Sequence, residues 1–109
     1  MLQIIRTKTI QEQVDAAALD LQGYIKIVVD IERNILSAGG QRHVDGEQML
    51  LDDGSKQPNL WGGGFDTDTK EIDYNSMINL RPSDNNPSRE ILSEVIRKQF
   101  DTIVHSILW

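Results

Sequence analysis

The stretch that most constrains this chain is a run of β-branched residues at positions 25–32, because such side chains favour strands over helices. Side chains of a strand alternate between its two faces. One face of this strand would be wholly apolar, and the other would carry two carboxylates near its end. The apolar face would hold Ile25, Ile27, Val29 and Ile31, and the second face Lys26, Val28, Asp30 and Glu32. We therefore predict a central strand whose second face must solvate, pair or use its carboxylates.

The length and charge of the chain exclude several classes of protein. Its 109 residues suit one domain spanning residues 1–109. Without cysteine there can be no disulfide, thiolate ligand or cysteine nucleophile. No run approaches the ~18 apolar residues of a membrane span and no signal peptide is visible, so we expect a cytoplasmic protein without a membrane partner. The net charge of −6 and the lack of a basic patch argue against nucleic-acid binding.

The N-terminal third predicts a helix that leads directly into this strand. Thr9 and Glu12 have the spacing of a capping box, and apolar residues then recur at helical intervals. Gly23 stands where a left-handed residue would end the helix. We therefore expect a first helix over residues 10–22.

The middle of the chain predicts strands and one ambiguous segment. Residues 35–38 should return antiparallel to the first strand, and Gly39 and Gly40 mark a bend. Residues 44–51 favour a short helix, although Gly46 leaves a strand open as the alternative. Residues 60–65 would be a strand with glycines where another backbone passes close, paired in a hairpin with a strand inside residues 71–80.

The C-terminal segment predicts a long amphipathic helix over residues 87–108. Asn86 is a favourable N-cap, and Pro87 suits the first helical position. At ~1.5 Å per residue the helix would be about 33 Å long, which is long for so small a sheet. Its end at Trp109 would either contact a partner subunit, giving a homo-oligomer, or fold back onto the core. Together these elements predict an α+β fold: a mostly antiparallel sheet of about four strands with two main helices packed on one face.

A first polar cluster comprises Asp30, Glu32, His43, Asp45 and Glu47. If the strands pair as predicted, the end of the central strand could lie near residues 43–47. Imidazole and carboxylate groups together suit Zn, Mn or Fe, and also general acid–base chemistry. The spacing matches no dedicated metal motif, so a solvated or ion-paired acidic edge is the alternative.

A second cluster surrounds the predicted start of the last helix and comprises Arg81, Ser83, Ser88 and Arg89. A helix N-terminus attracts anions, so an arginine in the first turn is unfavourable unless a negative group lies nearby. That group would be either an internal carboxylate or a bound phosphate or carboxylate, and simple exposure of the arginine is the remaining alternative. Gly62–Gly64 is not a phosphate loop, because no Lys-Ser or Lys-Thr pair follows it.

Several stretches occur together in an order that resembles a known family. They are residues 28–32, the Gly39-Gly40 pair, H-x-D-x-E at 43–47, D-G-S-x-Q at 53–57, L-W-G at 60–62 and S-M-I-N-x-R-P at 76–82. This combination resembles a family of small prokaryotic proteins classed only as a domain of unknown function, over residues 24–90 and a helical tail. The chain departs from the resemblance at Gly63-Gly64, and the resemblance carries over no catalytic role.

These patterns lead to two functional hypotheses. The first is a non-catalytic binding or interaction module that binds a small anion in a pocket at the start of the last helix, through Arg81, Ser83, Ser88 and Arg89. The alternative is a small metal-dependent or acid–base enzyme acting on a phosphorylated or carboxylated metabolite. In that enzyme His43, Asp45 and Glu47, with Asp30, would hold a metal ion or move a proton. The identity of any cofactor stays open.

Overall fold

The chain folds around a five-stranded antiparallel sheet in the order β1-β3-β2-β4-β5, as the computed structural model of residues 1–109 shows. This confirms the predicted α+β class with one strand more than expected. The strand from the β-branched run lies at the centre, paired on both sides. The elements are β1 Gln3–Ile5, α1 Gln11–Ala18, β2 Tyr24–Asp30, β3 Ile35–Ala38, α2 His43–Asp52, β4 Leu60–Asp66, β5 Ile72–Asp73 and α3 Glu94–Leu108.

The sheet separates two hydrophobic clusters. The larger cluster joins the apolar face of β2 to Ala17 of α1 and to the buried stripe of α3. The smaller cluster joins Val28, on the second face of β2, to Leu50 of α2 and Leu60 of β4. The second face of β2 is therefore covered by α2. The buried α3 residues of the larger cluster are Phe100, Ile103, Val104, Ile107 and Leu108.

Residues 44–51, for which the sequence favoured a helix and left a strand open, lie in the helix α2, and its glycine has a packing role. Gly46 lies in the helix, buried against the sheet. A Cβ atom at this position would meet the side chain of Ser37 and lie 3.3 Å from Cγ2 of Val28. Glycine thus lowers the helix propensity of this segment but lets α2 approach β2 and β3 closely.

The glycines of β4 confirm the expected close approach of another backbone. A Cβ atom at Gly63 would collide with the carbonyl oxygen of Asp73 on the neighbouring strand β5. At Gly62 it would lie 2.6 Å from Cβ of Ser76. Any larger residue at Gly63 would therefore push β5 and the segment after it away from the sheet.

The predicted capping box at Thr9 is wrong. Both the amide and the hydroxyl of Thr9 donate to the carbonyl oxygen of Ile107, at 2.9 Å each, which holds Thr9 at the end of α3, and Ile10 takes the N-cap position of the helix. The helix α1 begins at Gln11, and the side chain of Gln13 accepts from the Ile10 amide at 3.1 Å. A tertiary contact with the end of α3 has replaced the local cap.

The strand expected within residues 71–80 is much shorter than predicted. Only Ile72–Asp73 pairs with β4, and Met77–Asn79 forms a single 3₁₀ turn. The side-chain amide of Asn79 donates to the Gly62 carbonyl and its oxygen accepts from the Gly62 amide. A side chain therefore makes the two hydrogen bonds to β4 that a longer strand would have made through its backbone.

The predicted start of the last helix is also wrong. The helix begins at Glu94, and Ser93 is the N-cap, with its hydroxyl accepting from the Ile96 amide at 3.2 Å. Asn86 does not cap a helix, because its amide donates to three backbone carbonyls and its oxygen accepts from the Leu92 amide. Residues 86–92 are thereby held in an irregular conformation.

Trp109 continues the last turn of α3, because its amide donates to the His105 carbonyl, and it stays partly exposed. The Trp109 ring stacks on His105 with 4.4 Å between ring centroids, and the Lys70 ammonium lies 5.1 Å from the Trp109 ring. Val95, near the start of α3, is 70% exposed. Homo-oligomer formation through this helix stays a prediction. None of the helices has the length and apolar character needed to span a membrane.

Candidate functional site

The best-formed cavity of the molecule has a volume of about 630 Å³ and lies beside the N-terminal end of α2. Its walls come from the beginning of β2, from β5 and the turn after it, and from the loop before α3. The lining residues are Tyr24, Lys26, Arg42, His43, Val44, Asp73, Asn75, Ser76, Met77, Ile78 and Arg89. These separate segments surround one cavity because α2 packs closely on the sheet and β5 pairs closely with β4 at its edge.

The charge of this cavity is opposite to that of the chain as a whole. Lys26, Arg42 and Arg89 line it together with one carboxylate, Asp73, whereas the whole protein carries a net charge of −6. Arg42 pairs with Asp45 at 3.1 Å. Neither Lys26 nor Arg89 forms an ion pair. Two cations without ion-pair partners, set against one carboxylate, leave the cavity with a net positive charge that attracts anions.

His43 occupies one wall of the cavity in a neutral form. Its Nε2 atom lies 2.6 Å from the carbonyl oxygen of Gly63, which can only accept, so Nε2 carries the proton. Burial lowers the pKa of His43, and the positive charge of Lys26 lowers it further, against the opposing effects of the Gly63 hydrogen bond and Asp73. The imidazole therefore stays neutral at pH 7, with Nδ1 as an unprotonated acceptor.

The carboxylate of Asp73 is already occupied by protein donors. The hydroxyl of Tyr24 donates to Oδ2 at 2.6 Å, and the amide of Asn75 donates to Oδ1 at 3.1 Å. Burial, followed by this bond to Asp73, raises the pKa of Tyr24. A Cβ atom at Gly64 would collide with the Tyr24 hydroxyl, so glycine is required beneath this hydrogen bond. The only acidic group of the cavity thus contributes to structure.

The structure does not bring the first predicted cluster together. Asp30 lies at the far end of β2 from the cavity and is fully buried. Its Oδ1 atom accepts from the amides of Glu32 and Arg33, at 2.9 and 3.0 Å, while its Oδ2 atom has no partner. Glu32 accepts from the Asn59 side chain at 2.5 Å. Both carboxylates therefore organise the connection between β2 and β3 and its neighbours.

The remaining members of that cluster separate along α2. His43 lines the cavity, and Asp45 pairs with Arg42. Burial lowers the pKa of Arg81, and the negative charge of Glu47 opposes that lowering. No group of three or more His, Cys, Asp or Glu side chains is placed to hold a metal ion. Of the residues predicted for metal or acid–base chemistry, only His43 lines the cavity.

Arg81 belongs to the interior of the protein. Its guanidinium donates to the carbonyl oxygens of Ile78 at 3.0 Å and Pro58 at 3.2 Å, and also to that of Leu60. It also lies over the Trp61 ring, 4.2 Å from the centroid. Burial lowers the pKa of Arg81 despite the nearby carboxylates. This side chain ties the loop after Met77–Asn79 to the start of β4.

The other members of the second cluster diverge. Ser83 is exposed in the 3₁₀ turn Pro82–Asp84, and the hydroxyl of Ser88 accepts from the Glu90 amide at 3.0 Å. Arg89 is exposed and lines the cavity. Because α3 begins at Glu94, none of these residues lies at its N-terminus. Arg89 is the member that joins His43, and the two predicted clusters contribute one residue each to the same cavity.

Two buried asparagines, which the sequence analysis missed, organise the loops around the site. Asn79 donates to the carbonyls of Gly62, Tyr74 and Arg89, and Asn86 donates to those of Asn79, Ser88 and Glu90. Asn79 is thus the partner of both backbone groups of Gly62, and it adds a second donor to the carbonyls of Tyr74 and Arg89, which also accept from the amides of Ile91 and Ser76. The position of Arg89 in the cavity wall depends on this network.

Four further lining residues, Tyr24, Lys26, Arg42 and Asp73, were not singled out by the sequence analysis. The alternation of the central strand places Lys26 on the same face as Asp30, and it also places Tyr24, two residues before Lys26, on that face. That pattern was a usable signal for two of them. The approach of Asp73 depends on the glycines of β4, which no periodicity reveals.

Comparison with known proteins identifies the family of the chain. No curated protein and no solved structure matches it. A family model described as "Protein of unknown function (DUF5674)" matches residues 3–107 and so covers the whole sheet and nearly all of α3. The chain therefore belongs to the DUF5674 family, whose function is unknown.

Proposed function

We propose that this protein is a small binding module whose cavity beside α2 takes a small anion bearing a carboxylate or phosphate group. The observation that carries the proposal is the pair of cations without ion-pair partners, Lys26 and Arg89, which line one cavity of an acidic protein. Charged hydrogen-bond donors without protein partners favour an external acceptor.

The surroundings of the two cations support an anion over a cation. His43 is neutral, and the one carboxylate, Asp73, already accepts from Tyr24 and Asn75 and offsets only one of the two positive charges. The Ser76 hydroxyl accepts from the Ile78 amide at 3.3 Å, and its own proton is available to an acceptor. The donors at this cavity therefore outnumber its free acceptors.

This proposal keeps the anion-binding function suggested by the sequence but changes its residues. Arg81 and Ser88 contribute to loop structure, and Ser83 is exposed outside the cavity, while Lys26 joins Arg89 as the charged contact. The dipole of α3 has no part in the site, because the helix begins five residues beyond Arg89 (position 94 against position 89).

The test is a titration of the protein with inorganic phosphate and with acetate, followed by amide chemical shifts in ¹H–¹⁵N correlation spectra. We expect saturable shift changes confined to the cavity residues, with sodium chloride at equal ionic strength as the reference. Arg89→Gln and Lys26→Gln should each weaken phosphate binding by about tenfold, which corresponds to ~1.4 kcal/mol. Lys8→Gln is the charge-matched control, since Lys8 is exposed and outside the cavity.

Two results would contradict the proposal. One is a set of shift changes that sodium chloride reproduces at equal ionic strength. The other is an equal loss of affinity in Lys8→Gln and Arg89→Gln, which would show that binding follows net charge and not the cavity.

A second candidate function is acid–base catalysis by His43 on an anion bound in the same cavity. The observation that favours it is the neutral imidazole. Its Nε2–H group donates to the Gly63 carbonyl oxygen, and its Nδ1 atom accepts from no protein donor. Such a group can act as a general base near neutral pH. Turnover of small phosphate or carboxylate esters that is lost in His43→Gln, while phosphate binding is kept, would favour the enzyme over the module.

A further inference from the structure

We infer that the cavity beside α2 recognises an organic anion with an apolar body, in preference to a free inorganic anion. This inference rests on the proposed function and specifies its ligand class. The apolar part of the ligand would contact Val44, Met77 and Ile78, while its carboxylate or phosphate would contact Lys26 and Arg89.

The apolar wall of the cavity is unusually exposed. Val44 is 49% exposed and Met77 is 59% exposed, and both line the cavity beside the partly buried Ile78. Large apolar side chains that converge on one concave surface are typical of ligand sites, in contrast to single exposed residues scattered over a surface. Methionine suits such a wall because its unbranched side chain adapts to the shape of a bound group.

The size of the cavity also fits an organic ligand. Its volume of about 630 Å³ lies inside the range of roughly 300–1,000 Å³ found for small-molecule sites. A phosphate ion alone would fill a small part of this space and would leave the apolar wall in contact with water. An apolar body attached to the anion would remove that surface from water, which strengthens binding.

The apolar wall and the cationic wall are held in a fixed relation to each other. Asn79 ends the 3₁₀ turn that carries Met77 and Ile78, and its side-chain amide donates to the carbonyl of Arg89 at 3.0 Å. The same amide bonds Gly62 of β4 at 2.9 Å. Because one buried side chain links the turn, Arg89 and the sheet, the two walls are preorganised for a ligand that carries both chemistries.

The experiment compares three probes on the intact protein in NMR titrations: inorganic phosphate, phenyl phosphate and benzyl alcohol. Phenyl phosphate has both groups, phosphate lacks the apolar body, and benzyl alcohol lacks the charge. We expect phenyl phosphate to bind at least about tenfold more tightly than either of the other probes, with shift changes at both walls of the cavity. Tenfold in affinity is ~1.4 kcal/mol.

Two variants assign that gain to the apolar wall. Met77→Gln should remove most of the advantage of phenyl phosphate and leave the affinity for inorganic phosphate unchanged. Leu19→Gln is the matched control, because Leu19 is a 78% exposed apolar residue outside the cavity. Neither position has a buried side chain, so both variants should fold.

The outcomes separate this inference from the function on which it rests. Equal affinities for phosphate and phenyl phosphate would overturn the inference and leave the anion-binding function standing. Binding of neither phosphate probe would overturn both. Equal binding of benzyl alcohol and phenyl phosphate would show an apolar site without anion recognition, which also contradicts both. An equal loss of the phenyl phosphate advantage in Leu19→Gln and Met77→Gln would overturn the inference, because the loss would not depend on the apolar wall.

Discussion

Arg81 and Arg89 lie eight positions apart in the chain and have opposite surroundings. Arg81 is 6% exposed, donates to three backbone carbonyls and stacks on Trp61. Arg89 is exposed, makes no ion pair and faces the cavity beside α2. The two guanidinium groups are chemically identical, so the whole difference between them lies in the partners that the fold provides.

This difference separates structural polar groups from groups available to a ligand. Arg81 and Asn79 satisfy backbone groups that cannot reach water, so their removal should lower stability. Lys26 and Arg89 satisfy nothing in the protein, so their removal should leave stability almost unchanged and weaken binding. The predictions below test this division, beginning with the largest expected effect.

Replacement of Asn79 should have the largest effect on stability. Asn79→Ala leaves the amide and carbonyl of Gly62 without their buried partner, and it removes one of two donors from the carbonyls of Tyr74 and Arg89. We expect the free energy of unfolding to fall by about 3–4 kcal/mol in urea denaturation. The exposed Asn75 is the control, and Asn75→Ala should cost less than about 1 kcal/mol. Equal losses in the two variants would show that burial does not distinguish them.

Replacement of Arg81 should have the next largest effect. Arg81→Gln removes three hydrogen bonds to carbonyl oxygens and the contact with Trp61, and we expect a loss of about 2–3 kcal/mol in urea denaturation. The affinity for inorganic phosphate should not change, as measured by NMR titration at a temperature where the variant is folded. A tenfold loss of phosphate affinity with unchanged stability would reverse the roles assigned to the two arginines.

Arg89→Gln should show the complementary result. Because Arg89 has no protein partner, we expect the free energy of unfolding to change by less than about 0.5 kcal/mol. The affinity for phosphate should fall, as described for the proposed function. The double variant with Arg81→Gln should show the stability loss of Arg81→Gln and the affinity loss of Arg89→Gln, each unchanged by the other substitution. A large stability loss in Arg89→Gln would place this residue in the same class as Arg81.

The smallest expected effect concerns pH. The pKa of His43 in the folded protein lies below its ordinary value of 6.5, so the unfolded chain binds the proton more readily. The stability contribution of His43 is therefore complete above pH 6.5 and is lost as the pH falls through the lowered pKa. His43→Gln can still donate to Gly63 but does not titrate. Denaturation curves measured from about pH 7.5 down to about pH 5, a range that spans the ordinary value of 6.5, should show a shallower decline in stability for this variant than for the wild type.

The comparison also shows why some elements were predictable. The strands β2 and β3 and the helix α1 follow from local patterns: β-branched alternation for β2 and helical spacing for α1. The errors at Thr9, at residues 74–80 and at the start of α3 share one cause. In each case a polar side chain that suits a local role, such as Asn86 as an N-cap, instead binds a backbone group distant in sequence or in a loop.

The candidate site was predictable only in part, for a related reason. His43 and Arg89 were identified from their residue types, but each was assigned to a different cluster. The two residues line one cavity because β5 lies against the glycines of β4 and because Asn79 holds the segment that carries Arg89. Such contacts join positions far apart in the chain, and a local pattern carries no information about them.

The amino-acid sequence by itself determined the α+β class, the central strand and the acidic net charge, because alternation, helical periodicity and composition are local or additive properties. The tertiary structure decided which polar residues are buried and satisfied and which are left free. Arg81 and Arg89 differ only in this respect. Their difference arises from burial and hydrogen-bond partners, which exist only once the sheet, the turn Met77–Asn79 and α3 have packed together.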